Sequence, residues 1–284
     1  MARQSQFDAS VLARAKINLT LHVGQAFSEG DYQGYHPVDS LVVFADFGDL
    51  LHFNAGEPEA IHITGPFAAG LQAERDNLVS RALGNTKAGS QIITLEKNIP
   101  VSAGLGGGSA NAAAILRFFD PKGEASAIQL GADVPVCRLS ETALMQGIGE
   151  RVTPIAGKGQ VHAVLVNPGV AVSTSEIFKA FDSVSHQPQP LPSLTTGTLL
   201  ECARAGRNDL EPIAIKLAPV ISEVLSALAQ TSGCELARMS GSGATCFGLY
   251  PDEESAENGA KVLKGLHTNW WVRSCLLGDD DTNP

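Results

Sequence analysis

The amino-acid sequence predicts an α+β protein of two domains, from its length, its composition and the order of its strand and helix patterns. The 284 residues correspond to about two domains at roughly 150 residues each. Hydrophobic residues make up 44% of the chain, which is ample for the cores of domains of that size. Strand and helix patterns are mixed without strict βαβ alternation, so we expect an α+β arrangement in both halves.

Charge and patterning argue against several classes of function. The chain carries 20 Lys and Arg against 30 Asp and Glu, a formal net charge of −10, and has no basic run for nucleic acid. No apolar run reaches the roughly 18 residues of a membrane span, and Arg14 and Lys16 interrupt the one candidate for a signal-peptide core. The five cysteines and seven histidines lack the spacings of disulfide frameworks or zinc sites. We expect a cytoplasmic protein with reduced thiols. The sequence carries no signal for an oligomeric state.

The first half of the chain predicts a sheet with a few helices. Alternation of apolar with polar residues over 13–23 indicates a strand with one buried face. Asp76 is a candidate N-cap for a helix that ends at Leu83. Further strands are predicted at 41–47, 50–53, 61–64, 91–95 and 142–148, and further helices at 109–119 and 124–130.

A glycine pair at 157 and 159 is the preferred domain boundary, which divides the chain into residues 1–157 and 158–284. Ser173 and Glu176 fit a capping box that opens a helix ending at Phe181. Residues 186–193 are a proline-rich connector, and the acidic tail at 279–281 is expected to be frayed. The remaining strands are predicted at 161–166, 236–239, 244–250 and 270–276, and the remaining helices at 194–205, 219–230 and 253–266.

The segment with the strongest chemical signal is a glycine-rich loop, residues 100–108, between a strand and an alanine-rich helix. Four of the five residues from 104 to 108 are glycine, which a merely flexible turn does not need. Glycines let backbone amides approach an anion, and a helix N-terminus adds positive potential. The loop lacks the GK[ST] of a Walker A motif, and Ser109 departs from GxGxxG. We expect it to hold phosphate groups.

The polar face of the first strand is a second candidate. Lys16 and Asn18 lie two residues apart and so project side by side, together with Arg14, Thr20 and His22. On pattern alone, such a row predicts a solvated strand face rather than a site.

Three shorter segments remain open between structural and functional interpretations. Asp133 lies in a short loop before a proline, where an aspartate is more often a turn or cap residue. The turn at 240–243 is either a hairpin turn or a second phosphate-adjacent turn. Tyr35 and His36 end a glycine-containing loop, where packing is the default role of the aromatic ring.

Taken together, these segments resemble the GHMP kinase superfamily. The resemblance rests on residues 15–19, 34–36, 100–111, 131–136 and 240–244 in that order, and runs from about residue 13 to 248. It implies a ribosomal-protein-S5-like N-terminal domain, a ferredoxin-like C-terminal domain and a site between them. It also implies a kinase that moves the γ-phosphoryl group of ATP, with Mg²⁺, to a hydroxyl of a small molecule.

The resemblance assigns roles to individual residues. Asp133 matches the catalytic carboxylate and Lys16 its partner cation. Asn77 and Lys97 match positions around the adenosine, and the metal ligands stay open, with Ser109 beside ATP oxygens and water as the candidate. The ATP-binding residues of the loop and helix start would be Pro100, Val101, Ser102, Ala103, Gly104, Leu105, Gly106, Gly107, Gly108, Ser109, Ala110 and Asn111.

The resemblance further implies an acceptor substrate that is a cytidine diphosphate sugar-alcohol. Tyr35 matches the residue that stacks on the base, His36 the one that hydrogen-bonds its edge, and Phe178 the aromatic on the opposite face. Thr174, one turn before Phe178, and Asn18 complete the expected substrate-binding set.

Three departures accompany the resemblance. The segment between Asn111 and Asp133 is shorter than usual, Ala110 replaces a common serine, and Gln33 replaces a common aspartate. The first departure predicts a trimmed helix beside the site.

Two other functions stay open at this point: a nucleotide sensor without turnover, and a kinase for a mevalonate-type or homoserine-type alcohol. Lys16 together with Asp133 favours an enzyme, and the Tyr35–His36 pair favours a substrate that carries a base. An ADP-release assay across candidate alcohols discriminates among the three.

Overall fold

The computed structural model of the protein describes residues 7–56, 59–71, 77–184 and 194–280. Its strands are β1 (Ala9–Asn18), β2 (His22–Val23), β3 (Val38–Ala55), β4 (Ala60–Thr64), β5 (Gln91–Glu96), β6 (Ala143–Gly147), β7 (Arg151–Pro154), β8 (Gln160–Asn167), β9 (Leu236–Met239), β10 (Cys246–Tyr250) and β11 (Trp271–Gly278). Its helices are α1 (Leu78–Gly84), α2 (Gly107–Phe119), α3 (Val134–Leu139), α4 (Thr174–Asp182), α5 (Leu199–Ala205), α6 (Glu211–Leu217), α7 (Val220–Ala229) and α8 (Glu253–Leu266). No described helix combines the length and apolar character that a bilayer span requires.

The long strand β3 organises the N-terminal half, where it pairs antiparallel with β1, β2, β5 and β6. The sequence predicted two strands here, because Gly48 and Asp49 interrupt the apolar run. They form one strand because glycine lets the backbones of β1 and β3 come very close. A Cβ on Gly48 would lie 1.9 Å from the carbonyl oxygen of Ala13.

The C-terminal half continues the same sheet. β8 lies between β10 and β11, and β9 pairs with β10, all antiparallel. β11 meets β3 at Leu277 and Ala45, which gives the strand order β4-β5-β3-β11-β8-β10-β9. The glycines at 157 and 159 lie between β7 and β8. β7 pairs with β6 of the N-terminal half, and β8 pairs with β10 and β11 of the C-terminal half.

The structure has three apolar clusters, and one of them supports the glycine-rich loop. That cluster joins residues of β1 and β3 to residues of β8, β10 and α5. Ile99, just before the loop, and Ala103 and Leu105, within it, belong to this cluster and are almost fully buried. Because these apolar side chains point inward, the loop backbone is fixed at the junction of the two halves.

Several helix ends differ from the sequence prediction. Asn77, not Asp76, caps α1, with its side chain accepting the Ser80 N–H at 2.9 Å; Asp76 lies outside the described residues. α5 begins at Leu199 rather than 194, because Thr198 and Glu201 form a capping box there. Ser173 caps α4 by accepting the Glu176 N–H, which is one half of the predicted capping box. The proline-rich connector at 186–193 also lies outside the described residues.

The helix predicted at 124–130 is wrong. Only a 3₁₀ turn at Ile128–Leu130 forms, because the side chain of Asp120 accepts the backbone N–H groups of Glu124 at 3.1 Å and Ala125 at 2.8 Å. Arg138 donates to the same carboxylate at 3.0 Å. The short helices α3 and α6 were not predicted, although each has a proline in its first turn, which is a helix-start signal.

The expectation of a frayed acidic tail is wrong at Asp279, which takes part in a hydrogen-bond network around Arg14. The carboxylate accepts from the Arg14 guanidinium at 3.1 Å and from the Thr142 N–H at 2.5 Å. Arg14 also donates to the carbonyl oxygens of Phe44, Ala45, Ser140 and Gly278 at 2.9 to 3.0 Å. One guanidinium therefore joins β3, the end of α3 and the end of β11.

We expect Arg14→Lys to lower the free energy of unfolding by about 2–3 kcal/mol, because an ammonium cannot satisfy this many divergent acceptors. Urea denaturation measures the change. Arg151→Lys is the matched control, since its side chain is 68% exposed, and it should stay within about 0.5 kcal/mol. Equal effects of the two substitutions would contradict the role given to Arg14.

Candidate active site

A cavity of about 1150 Å³ lies where the glycine-rich loop, the end of β1 and the starts of α3 and α4 converge. It is lined by most of the residues that the sequence singled out, namely Lys16, Asn18, His36, Asn77, Lys97, Pro100, Val101, Ser102, Ala103, Gly104, Gly106, Gly107, Gly108, Ser109, Asn111, Asp133, Thr174 and Phe178. Three others do not line it: Leu105 and Ala110 are buried in the core, and Tyr35 is 57% exposed.

An ion pair between Lys16 and Asp133 lines this cavity, with 2.8 Å between Nζ and Oδ2. The Lys16 side chain is 4% exposed, so the prediction of a solvated strand face is wrong. The glycine-rich loop covers that face, and the Lys16 N–H donates to the Leu105 carbonyl at 3.0 Å. A buried ammonium needs a countercharge, and Asp133 supplies it.

Asp133 does occupy the position before a helix, as its sequence context suggested, but its side chain does not cap that helix. It precedes α3, and its carboxylate makes no capping hydrogen bond. Instead it turns toward Lys16 and stays 32% exposed to the cavity. The carboxylate is thus held by one cation and remains open to a ligand.

The glycine-rich loop leads directly into α2, which begins at Gly107, two residues before the prediction. Gly106 adopts φ 63° at the N-cap, and no side chain caps the helix. The first-turn amides and the positive end of the helix dipole therefore remain available to an anion. A Cβ on Gly106 would lie 3.3 Å from the Lys16 side chain, so the loop packs directly on that lysine.

The turn at 240–243 connects the paired strands β9 and β10, and it also contacts the glycine-rich loop. Gly104 has φ 73°, and a Cβ there would lie 2.5 Å from the Ser240 carbonyl oxygen. The Ser240 hydroxyl donates to the Gly104 carbonyl at 3.1 Å and accepts the Asn18 N–H at 3.1 Å. Gly104 therefore allows close packing of two loops.

Two buried polar side chains that the sequence analysis missed fix these loops. The Asp49 carboxylate pairs with Lys97 and accepts the Ile99 N–H at 2.8 Å, which anchors the segment before the glycine-rich loop. Asn208 donates to the Gly241 carbonyl at 2.8 Å and so fixes the second turn. An acidic residue inside an apolar strand was the available signal for Asp49; Asn208 offered none.

His36 and Phe178 come together at the other end of the cavity. Their ring centroids are 5.0 Å apart, and His36 Nδ1 lies 2.9 Å from the Gly24 carbonyl oxygen. Thr174 and Ser242 share a hydroxyl–hydroxyl hydrogen bond of 2.7 Å. The structure thus groups three of the expected substrate-binding residues but leaves Tyr35 on the outer surface of its loop.

The cavity also contains buried polar atoms without partners. The side-chain carbonyl oxygens of Asn18 and Asn111 have no hydrogen-bond partner within the described part of the chain. Leaving such a group unpaired costs about 1–3 kcal/mol. Burial and the charge of Asp133 raise the pKa of the nearby Cys137 thiol to about 12, which keeps it protonated and unreactive.

No group of three or more His, Cys, Asp or Glu side chains that could hold a metal ion occurs among the described residues. All five cysteines are free, in agreement with the sequence prediction. The arrangement of a carboxylate, a lysine and an uncapped helix start can bind a polyanion and deprotonate a hydroxyl beside it.

Family models match both halves of the chain. "GHMP kinases N terminal domain" covers residues 77–137, and "GHMP kinases C terminal" covers residues 193–266. A 4-diphosphocytidyl-2-C-methyl-D-erythritol kinase of Parvibaculum lavamentivorans is 46% identical over 94% of this chain and 97% of its own length. The enzyme of the same name from Methylorubrum extorquens is 42% identical over 93% and 97%.

Solved structures agree with these matches. A crystal structure of 4-(cytidine 5'-diphospho)-2C-methyl-D-erythritol kinase superposes with a TM-score of 0.74 and 31% identity, over 95% of this chain and all of the other. A mevalonate kinase of L. major has a TM-score of 0.67 at 13% identity over 98% of both chains, which shows a shared fold alone. The expected α+β GHMP kinase fold is confirmed.

The contact between the two loops predicts opposite effects on stability for alanine substitutions at two glycines of the glycine-rich loop. Gly104→Ala should lower the free energy of unfolding by more than about 2 kcal/mol, because it combines a left-handed backbone with a backbone clash. Gly108→Ala is the matched control. A Cβ there meets only Leu78, at 3.4 Å, and alanine favours the helix by up to about 1 kcal/mol. Chemical denaturation of both variants decides, and a tolerated Gly104→Ala would contradict the packing described.

Proposed function

This chain belongs to the 4-diphosphocytidyl-2-C-methyl-D-erythritol kinase family of the GHMP kinases, and on that premise we propose its reaction. It transfers the γ-phosphoryl group of ATP to the 2-hydroxyl of 4-diphosphocytidyl-2-C-methyl-D-erythritol, in the non-mevalonate (methylerythritol phosphate) route to isoprenoid precursors. The observation that carries the proposal is the Lys16–Asp133 pair, 2.8 Å long, beside an uncapped helix start in one cavity.

Asp133 and Lys16 carry out the chemical step. The acceptor oxygen forms a bond to the γ-phosphorus while the bond from that phosphorus to the β,γ-bridging oxygen breaks, which releases ADP. Asp133 orients the hydroxyl and accepts its proton as the new bond forms. Lys16 holds the carboxylate in place and stabilises negative charge on the transferring group.

The glycine-rich loop binds ATP mainly through its backbone. The amides of Gly106 to Ser109 face the phosphates, and Asn111 lines the same cavity one turn into the helix. Asn77 and Lys97 lie at the adenosine end, while Leu105 and Ala110 anchor the backbone from within the core. Most of these contacts are insensitive to side-chain identity, so close backbone approach is the requirement.

Ser109, the phosphates of the nucleotide and water would hold Mg²⁺ in this site. Magnesium is commonly held by substrate phosphates, waters and one or two protein oxygens rather than by a dedicated cage of side chains. The residues present fit that mode, because Ser109 in the first turn of α2 brings a hydroxyl to the cavity. The ion neutralises charge on the phosphates when bound.

The acceptor occupies the other end of the cavity. Asn18 and Thr174 lie near the hydroxyl-bearing part, and His36 with Phe178 holds the cytosine. Tyr35 covers the outer face of the base from its exposed position on the loop. Because Phe178 and Tyr35 lie on opposite sides of the boundary between 1–157 and 158–284, the base contacts both proposed domains.

A kinase is favoured over a nucleotide sensor, because both Lys16 and Asp133 are present and paired. The homoserine kinase and mevalonate kinase structures share only 17% and 13% identity with this chain, so they do not indicate its substrate. The five free thiols are typical of a reducing compartment, and we assign the enzyme to the cytoplasm.

A coupled ADP-release assay across a panel of alcohols tests the substrate. The panel contains 4-diphosphocytidyl-2-C-methyl-D-erythritol, mevalonate and homoserine, each with ATP and Mg²⁺. We expect turnover of the cytidine compound alone. Turnover of another alcohol at a higher kcat/KM contradicts the substrate, and nucleotide binding without any turnover supports a sensor instead.

We expect Asp133→Asn to lower kcat by roughly 10²-fold or more, because an amide cannot accept the hydroxyl proton. The KM for the acceptor should change little, since the side chain keeps its shape. Steady-state kinetics measures both constants, and calorimetric titration of a non-hydrolysable ATP analogue shows whether the nucleotide site is intact. A kcat close to that of the wild type would exclude Asp133 as the base.

A further inference from the structure

Asp182 lies in the same cavity as the proposed cytosine-binding residues. It ends α4, one turn after Phe178 and two turns after Thr174, so the three side chains share one face of the helix. All three line the cavity. The Asp182 side chain is 55% exposed, and its Oδ1 lies 3.2 Å from His36 Nε2.

The contacts of His36 determine what its ring offers to a ligand. Nδ1 lies 2.9 Å from the Gly24 carbonyl oxygen, which only accepts, so Nδ1 carries a proton and donates. Nε2 faces the Asp182 carboxylate, which also only accepts when ionised. The result is an imidazole ring fixed beside a carboxylate acceptor on Asp182.

The carboxylate is complementary to one edge of cytosine, where the base presents its exocyclic amino group as a donor. Resting on the function proposed above, we propose that Asp182 is a specificity-determining residue for the base. Its carboxylate accepts a hydrogen bond from the amino group of cytosine.

Asp182 supplies what His36 alone does not. An imidazole nitrogen donates or accepts according to its protonation, so His36 by itself can adapt to N3 of cytosine or to N3–H of uracil. An ionised carboxylate cannot adapt in this way. Uracil would place its O4, an acceptor, against the Asp182 oxygens and leave both groups unpaired. A mispaired polar contact of this kind gives strong discrimination between substrates.

The structure keeps this carboxylate available to the base. His36 is its only ion-pair partner among the residues described. Phe181, at 5.7 Å between ring centroids, and Gly24 hold the His36 ring in place. His36 and Asp182 thus approach the base edge from two different segments of the chain, one in each proposed domain.

Asp182→Asn tests the proposal, because the amide is almost the same shape but both donates and accepts. We measure kcat/KM for the cytidine substrate and for its uridine counterpart. The cytidine-to-uridine ratio should fall by about 10- to 100-fold, mainly through faster turnover of the uridine compound. Glu176→Gln is the matched control: it removes a charge from the same helix at an exposed position outside the cavity lining, and its ratio should not change.

A second measurement is independent of turnover. Calorimetric titration compares CMP with UMP on the wild type, on Asp182→Asn and on Asp182→Ser. Preference for CMP in the wild type and its loss in both variants supports the proposal. A preference that persists in the variants overturns it, as does an equal loss of kcat/KM for both substrates, which indicates a structural role. Wild-type protein that prefers CMP but phosphorylates nothing overturns the proposed reaction and leaves this inference standing.

Discussion

The buried ammonium group of Lys16 is the constraint on which the site depends. A charge removed from water must be paired, and Asp133 provides the pairing carboxylate at 2.8 Å. The Lys16 N–H donates to the Leu105 carbonyl oxygen, and Gly106 packs on the aliphatic part of the Lys16 side chain. One lysine therefore fixes both the carboxylate and the glycine-rich loop in relation to β1. A small shift of Lys16 would therefore misplace the Asp133 carboxylate and the phosphate-binding loop together.

The two lysines that pack against the glycine-rich loop are already neutralised by the protein. Lys16 is paired with Asp133, and Lys97 with Asp49, while the chain as a whole has a net charge of −10. The positive potential that the loop offers to a polyanion comes mainly from the uncapped start of α2 and its backbone amides. This explains why the loop is built from glycines. Gly104 is required for a separate reason, the packing of the loop on the 240–243 turn.

Local signals in the sequence were sufficient for the glycine-rich loop, for Lys16 and Asp133 as candidates, and for most strands. They were insufficient for burial, because the loop that covers the polar face of β1 lies about ninety residues further along the chain. Asp49 was missed for a similar reason, since its partner Lys97 is 48 positions away. The helix predicted at 124–130 failed because Asp120 offers the backbone an alternative set of hydrogen bonds, which propensity alone does not reveal.

A double-mutant cycle on the single-turnover rate of phosphoryl transfer tests the central claim, that Lys16 and Asp133 act as one unit. It compares the wild type with Lys16→Met, Asp133→Asn and the double variant, all at saturating ATP and acceptor. The account predicts that the double variant is about as slow as the slower single variant, because either change disrupts the same pair. Rate losses that multiply would contradict it, since they would show that the two residues act independently.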